Sequence, residues 1–442
     1  MDIRNRIGLY GSYFLCMAGI GFILPYLPLY LHQQGLSESA IGFVWMAAAL
    51  AGLLQFPLGV WSDRLRARKP FLLGALGVLT VATFLLHGAS GVLALGVLAV
   101  LFAENGPCRA TVESLAGAEA VHLAPPSQVG AALGALRFWR PIGIMTVALA
   151  GGVLVDPYGW AASVLPDRVI DTIAAQEYTL GSILRLLVVV QGSAFVAALL
   201  IHEAEGRAGP RQRPECLVRL SLGALTRPRS PRRSVWRDGR LWAFVVAMVL
   251  FHAAAAPGGA YLGLFVKKDL GASDGFLPCL FIVMMVAWMV LVRPAGRWAD
   301  RVGRKPLLVL GWSAMTVRLV LLAVATSPEQ ILFIQLLDGL AQGLFGVLAA
   351  AWVTDRFADP RRAGEAQVLV GSCLVLGSAL GPLLAGLIVQ DLGYRGLFAL
   401  LAGIAGVATL LVLILVPETL PARRLSLSVD ALSRKRPAEN QV

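Results

Sequence analysis

Charge is scarce in this chain. Only 14% of its 442 residues are Asp, Glu, Lys or Arg, whereas soluble domains usually carry about 25%. Cysteine and histidine are scarcer still, at five each, and Cys16, Cys108, Cys216, Cys279 and Cys373 are dispersed with no paired spacing. They are assigned no redox or metal role. No His/Cys ligand array, nucleophile–base arrangement or Gly-rich phosphate loop stands out, so no cofactor, metal site or enzymatic activity is expected, ATP hydrolysis included.

Apolar residues fill the space that charge leaves. They make up 57% of the chain, and mean hydropathy is +0.73. Runs reaching the roughly 20 residues that cross a bilayer recur along the whole length. Twelve spans are predicted, at 7–31, 39–61, 70–88, 91–116, 129–155, 181–202, 240–266, 274–296, 306–326, 329–354, 364–389 and 395–417. Spans of this length must satisfy their backbone groups internally as helices, which excludes a barrel. The first span lacks a small-residue cleavage signal and leads directly into the second, so it reads as retained rather than as a signal peptide. The expected fold class is an all-α membrane protein of twelve transmembrane helices in two six-helix bundles.

The net charge of +12 follows topology rather than a nucleic-acid surface. Lys and Arg gather at Arg4 and Arg6, between 59 and 70, between 207 and 240, between 296 and 306, at Arg356, Arg361 and Arg362, and in the tail from Arg423. The opposite connections carry only Arg168, Lys267, Lys268 and Arg395. The positive-inside rule then places both termini in the cytoplasm of a multi-pass plasma-membrane protein, with a bacterial inner membrane expected. No nucleic-acid partner is expected; basic residues can rest on anionic headgroups of membrane lipids. Residues 203–239 are rich in Arg, Pro and Gly and read as a cytoplasmic linker between an N-terminal bundle, 1–202, and a C-terminal bundle, 240–418, with a cytoplasmic tail at 419–442.

The two halves repeat. Gly59-Val-Trp-Ser-Asp-Arg-Leu-Arg-Ala-Arg-Lys-Pro70 and Gly296-Arg-Trp-Ala-Asp-Arg-Val-Gly-Arg-Lys-Pro306 are near copies, with Asp63 and Asp300 separated by 300 − 63 = 237 residues, about half the chain. Tyr26-Leu-Pro-Leu-Tyr-Leu is similarly echoed at Tyr261-Leu-Gly-Leu-Phe-Val, and Gly152–Trp160 at Gly386–Tyr394. A six-helix plan laid down twice is a common transporter design. The repeated loop resembles the signature between the second and third helices of the major facilitator superfamily. That resemblance implies alternating access, with Gly59, Asp63, Arg64, Gly296, Asp300 and Arg301 acting at a cytoplasmic gate. Pro25, Pro28, Pro57, Pro107, Pro141, Pro257 and Pro382 interrupt helical runs and are expected to kink them.

Charges inside spans are costly and usually face a bundle interior or a water-filled cavity. Glu104, Arg109 and Glu113 lie in the fourth span and Arg137 and Arg140 in the fifth. Arg109 and Glu113 share a helix face, as do Arg137 and Arg140. Arg109 and Arg137 should lie at similar depth, with Glu104 and Arg140 near the midplane, so the two helices are expected to pair acid with base. Arg318 in the ninth span and Asp338 in the tenth are expected to face one another, with Gln335 on the face of Asp338. His252, alone in the seventh span, reads as a packing histidine. Trp45, Trp139, Trp288 and Trp352 suit either packing or a cavity lining.

Several of these stretches resemble the lactose permease type of oligosaccharide and proton symporters. Pro25–His32, Val112-Glu-Ser-Leu115, Gly134–Gly143 and Met315-Thr-Val-Arg318 carry the likeness. It implies substrate binding by Glu113 and Arg137, with Arg140 beside them, and coupling through Arg318 with Asp338 and Gln335. The chain departs from that group in reading Gln335, Asp338 and Ala341 where it has a coupling lysine, histidine and glutamate. Ile144 stands where its sugar-stacking tryptophan would be. The function expected is proton-coupled uptake of a small polar organic solute, sugar-like in one version, by a monomer whose partners are that small-molecule substrate, protons and membrane lipids. Drug or metabolite efflux by antiport is the rival, and a non-transporting receptor or lipid-handling protein is the alternative of another class.

Overall fold

A computed structural model describes residues 3–65, 67–123, 129–202, 238–357 and 363–419, with the side chains at 63, 121, 129–133, 293, 357 and 363–368 left out. Among the described residues every regular element is a helix. The expected linker at 203–239 lies outside them save for its last two residues, as does the tail save for Thr419.

The first crossing is α1 (Ile3–Ala18) followed by α2 (Ile20–Gln33), hinged at Gly19. The second is α3 (Glu38–Ala51) and α4 (Gln55–Leu65), joined by a 3-10 turn at Gly52–Leu54. Then come α5 (Lys69–Gly88), the split fourth crossing α6 (Val92–Phe102) and α7 (Pro107–Leu123), and α8 (Val129–Val155). A short amphipathic helix, α9 (Asp167–Ala174), precedes α10 (Leu180–Leu199). The second half runs α11 (Gly239–Ala255), α12 (Pro257–Lys268), α13 (Leu277–Val302), α14 (Arg304–Val324), α15 (Pro328–Phe357) and α16 (Ala363–Leu415).

Ten of these stretches are long and apolar enough to cross a bilayer, and α13, bent by 51° at Pro294, adds an eleventh. The 53 residues of α16 would extend about 80 Å at 1.5 Å per residue, more than two bilayer cores. It breaks at Gly393, whose φ of 64° is a left-handed value that suits glycine. Counted as two, α16 makes the arrangement consistent with twelve crossings.

Several sequence-based boundaries need correction. The spans predicted at 7–31, 39–61, 91–116 and 240–266 are each two helices, and the one predicted to start at 7 begins at Ile3. Pro257 and Pro107 start new helices, as expected of a residue that lacks the donor needed to continue the previous turn. The repeated motifs are less loop-like than predicted: α4 continues through Leu65 and α13 through Val302, so most of each motif is helical.

Asn5 bonds to His202, Asp238 to Arg356, and Glu418 to the start of α14, which gathers both described chain ends at one end of the bundle, the near end. At the opposite, far end the two halves lock together. The Tyr261 hydroxyl on α12 donates to the carbonyls of Glu38 (2.9 Å) and Pro382 (3.2 Å). Lys268 pairs with Glu38 at 2.6 Å, Gln390 donates to Ser39 at 3.2 Å, and Trp160 Nε1 donates to the Gly275 carbonyl at 3.0 Å. Glycines permit this approach: a Cβ on Gly42 would lie 2.8 Å from the Tyr261 hydroxyl, and closer still to the Pro382 carbonyl oxygen. At the near end α4 packs on α7 and the Gly52–Leu54 turn, and a Cβ on Gly59 or Gly371 would meet nothing within 4 Å. The molecule is closed at its far end.

Candidate functional site

The break between α6 and α7 organises the centre of the first half. Pro107 has no N–H to carry the helix on, and Gly106 fits a tight corner in which a Cβ would sit 3.1 Å from the Ala103 carbonyl oxygen. Carbonyls released at the end of α6 need donors in a setting without water. Arg109, one turn into α7, supplies them: its Nη1 donates to the Phe102 carbonyl and, at 3.5 Å, to that of Ala103, while Nε donates to Cys16 at 3.3 Å. The guanidinium carbon lies 4.7 Å from the centroid of the Phe102 ring. Gly19 in the α1–α2 hinge leaves the room, because a side chain there would collide with Arg109 Nη2 and Gln191 Nε2. Arg109 is 1% exposed. Backbone oxygens and an aromatic face hold it, while the acid–base pairing expected between the fourth and fifth spans is made by Arg140.

The unwound segment also carries Glu104 to mid-depth, where Arg140 of α8 meets it. Arg140 Nη2 donates to Glu104 Oε1 at 2.7 Å and Nη1 to Glu113 Oε2 at 2.5 Å. One guanidinium thus spans both arms of the broken helix. These side chains are partly open, at 28% for Arg140, 24% for Glu104 and 36% for Glu113. Beside them the buried Tyr13 hydroxyl lies within electrostatic reach of Glu113, Arg140 and Arg137 and has no hydrogen-bond partner. Arg137 is exposed and forms no ion pair among the described residues. The structure thus brings Glu113 together with Arg140, one turn further along α8, rather than with Arg137. Trp139, also exposed, sets its ring edge-on to Phe14 at 5.9 Å.

A second cluster lies in the other half, towards the far end. Arg318 of α14 donates through Nε (3.3 Å) and Nη2 (3.1 Å) to Gln335 Oε1, and its Nη2 is 3.1 Å from Asp338 Oδ2. Gln335 Nε2 in turn donates to the Leu280 carbonyl at 3.3 Å, which ties the cluster to α13. A Cβ on Gly258 would lie 3.0 Å from Arg318 Nη2. The predicted triad is therefore assembled, and it is closed: side-chain exposure is 1% for Arg318 and 12% for Asp338. Asp338 Oδ1 has no hydrogen-bond partner. His252 is buried, with its ring edge-on to Phe345 at 4.5 Å, a packing role as expected. Trp352 is core too, donating to the Pro417 carbonyl at 2.9 Å.

Of the gate residues, Gly59 and Gly296 have open space or ordinary contact around an added Cβ, and Arg64 and Arg301 are exposed. The Asp63 side chain lies outside the description. Asp300 accepts from Arg304 one turn on, at 3.3 Å. The stronger tie there was missed in the sequence. Glu418, just after the last crossing, accepts from the backbone N–H groups of Arg304 (3.0 Å) and Lys305 (2.9 Å), and Asp355 pairs with the Arg304 side chain. A signal existed in Pro417-Glu418-Thr419, an acid at the boundary of a basic face.

A transmembrane helical fold with broken helices, a mid-depth charge cluster and one closed end is the frame of a carrier. A family profile described as "MFS_1 like family" matches residues 7–400. The chain belongs to the MFS_1 like family. It is thus a multi-pass membrane transporter of the MFS kind. An uncharacterized MFS-type transporter of Mycobacterium tuberculosis is 25% identical over 406 residues, 89% of each chain. Multidrug resistance protein MdtL of Escherichia coli O6:H1 is 33% identical over 159 residues, 36% of this chain and 40% of that protein. Among solved structures, the nucleoside transporter NupG superposes with a TM-score of 0.72 at 14% identity, over 94% of this chain and 99% of that one. The peptide transporter POT gives 0.68 at 14% identity, over 95% and 94%. These likenesses show the MFS fold. They do not test the narrower likeness to lactose permease. Among the described residues no group of three His, Cys, Asp or Glu side chains could hold a metal ion.

Proposed function

We propose that this MFS transporter is a proton-coupled carrier that takes up a small polar organic solute by alternating access between its halves. The observation that carries the reading is Arg140 shared between Glu104 and Glu113 across the broken fourth crossing. Such a bridge is a preorganised, partly open set of charge-assisted donors and acceptors. A hydroxyl-bearing solute can accept from Arg140 and donate to either carboxylate, and the unpartnered Tyr13 hydroxyl adds a further polar contact. Exposed Arg137 and Trp139 lie on the same stretch of α8 and extend the surface available to cargo.

Coupling belongs to the second cluster in this reading. Arg318 can be satisfied by Gln335 and by Asp338, so protonation of Asp338 leaves the guanidinium with one neutral partner instead of abandoning it. A proton therefore removes the counter-charge of buried Arg318, which is costly in the present arrangement and gives protonation leverage over how α14 and α15 bond, with α13 joined to them through Gln335. With both termini in the cytoplasm, the closed far end is external and the described state opens inward. The repeated motifs then hold the cytoplasmic side when it closes. Domain division at the 203–239 linker lets the halves rock as bodies.

Reconstitution in liposomes with an imposed pH gradient tests this, using a panel of sugars, nucleosides, peptides and organic acids. Accumulation of one solute with an inward proton gradient supports the reading. Accumulation only with an outward-directed proton gradient, protons leaving as solute enters, supports a second one, efflux by antiport, which the partial similarity to MdtL favours. Binding without any flux across the panel would point to a receptor or lipid-handling role.

A further inference from the structure

At the near end, three helix termini enclose a cavity that the transport site does not use. It has a volume of about 330 Å³ and is lined by Gly239 and Arg240 at the start of α11, Lys305 at the start of α14, and Ile414–Pro417 at the end of α16. Among the described residues no acid lines it, and the neighbouring acids are already engaged. Asp238 pairs with Arg356, Asp355 with Arg304, and the Glu418 carboxylate holds the backbone N–H groups of Arg304 and Lys305. Neither the Arg240 nor the Lys305 side chain forms an ion pair among the described residues. Two uncompensated cations thus share a pocket with apolar walls, of which Ile414 is 70% and Leu415 47% exposed.

The place matters as much as the chemistry. Three apolar crossings begin or end here, so the cavity lies at the boundary between hydrocarbon and water, where a ligand can be charged at one end and apolar at the other. The flanking parts of the chain are poor occupants, because both repeat the pocket's sign. Residues 203–237 carry nine Arg against three Glu, 9 − 3 = +6, and residues 420–442 carry five Lys or Arg against two acids, 5 − 2 = +3.

We propose that this cavity is a binding site for one anionic phospholipid, its phosphate between Arg240 and Lys305 and its acyl chains along Ile414 and Leu415. The lipid would rest on Pro417, next to the carboxylate that ties the last crossing to the repeated motif. Two juxtamembrane cations should together strengthen binding of an anionic headgroup by about 30-fold.

Native mass spectrometry of the full chain, released from detergent with phosphatidylglycerol or phosphatidylcholine added, reads occupancy directly. Wild type should retain one phosphatidylglycerol in preference to phosphatidylcholine. Arg240→Gln with Lys305→Gln should lose about 30-fold in apparent affinity, and the charge-preserving Arg240→Lys with Lys305→Arg should keep it. Lys305→Gln leaves the backbone bond to Glu418 in place, and lipid-free melting of each variant identifies any folding defect. Equal retention of both lipids by wild type, or undiminished phosphatidylglycerol binding by the double Gln variant, overturns the proposal. Protection by inorganic phosphate as strong as by the lipid would make this a soluble-anion site and overturn it as well.

Discussion

The far-end closure depends on close backbone approach at glycines, Gly42 and Gly386 among them. At Gly42 an added Cβ would fall 2.8 Å from the Tyr261 hydroxyl and nearer still to the Pro382 carbonyl oxygen. That oxygen is backbone and cannot swing aside, so Gly42→Val must push α3 away from α12 and α16 by several tenths of an ångström. Overpacking of this kind costs about 1–3 kcal/mol. The cost falls only on the closed arrangement, because α3 leaves these partners when the far end opens. A differential of that size shifts a two-state ratio by about 5- to 150-fold. Ser39 and Gln390, hydrogen-bonded at 3.2 Å across the same seam, are suitable positions for spin labels in a cysteine-depleted background. Pulsed electron-spin distance measurement should show the short population falling and a longer one rising in Gly42→Val. Gly59→Val, whose added Cβ meets nothing within 4 Å, should leave the labelled end closed. An unchanged distance distribution in Gly42→Val would refute the argument that close backbone approach sets this state.

Three further outcomes follow from the charged clusters. Because Glu104 and Glu113 share Arg140, Glu104→Gln and Glu113→Gln should each weaken binding of the solute found by flux assay modestly, about tenfold. Arg140→Gln should cost about 100-fold, as charge-assisted bonds are worth about 1.5–3 kcal/mol each; isothermal titration gives the numbers, and equal losses for all three would contradict the shared bridge. Asp338→Asn should abolish accumulation driven by a pH gradient while sparing solute exchange at equilibrium, and retained accumulation removes Asp338 as the proton carrier. Glu418→Ala strips two backbone N–H groups at the start of α14 of their acceptor. At about 1 kcal/mol per lost cap interaction, it should lower thermal stability by a few degrees, whereas an unaltered melting profile would mean that water replaces it.

Much of the fold was readable because the bilayer imposes simple rules: apolar runs of sufficient length, and basic loops on one side. What those rules do not encode is where a run is interrupted. The break at 103–106 depends on Gly106 packing into a corner and on Arg109 reaching back across the break to the carbonyls of Phe102 and Ala103. Hydropathy averages over both. Helical spacing placed Glu113 and two arginines near one another, but it could not choose between Arg137 and Arg140, because the choice turns on how α8 is rotated against α7. The Arg318, Gln335 and Asp338 cluster was easier, since two charges buried in adjacent apolar helices have few other partners. The tie through Glu418 was hard to read because its donors are backbone N–H groups more than a hundred residues away.

Under the proposed function the two halves divide the work, and the duplication shows where they diverge. Gly19 and Gly258 lie in the first and seventh crossings, each made of two helices, Gly19 at the seam and Gly258 at the start of the second helix, about one turn from strict repeat equivalence. Each also makes room for a buried arginine, but the arginines are not equivalent: Arg109 comes from the fourth crossing and Arg318 from the ninth. Arg109 spends its donors on backbone, which fixes the break and leaves Glu104 to Arg140 in a partly open cluster. Arg318 spends its donors on Gln335 and Asp338, which are shut in. Direct contact with a polar solute needs exposed partners, and a proton-sensitive contact needs a carboxylate screened from bulk water, so under the proposed function a glycine notch serves cargo binding in one half and coupling in the other.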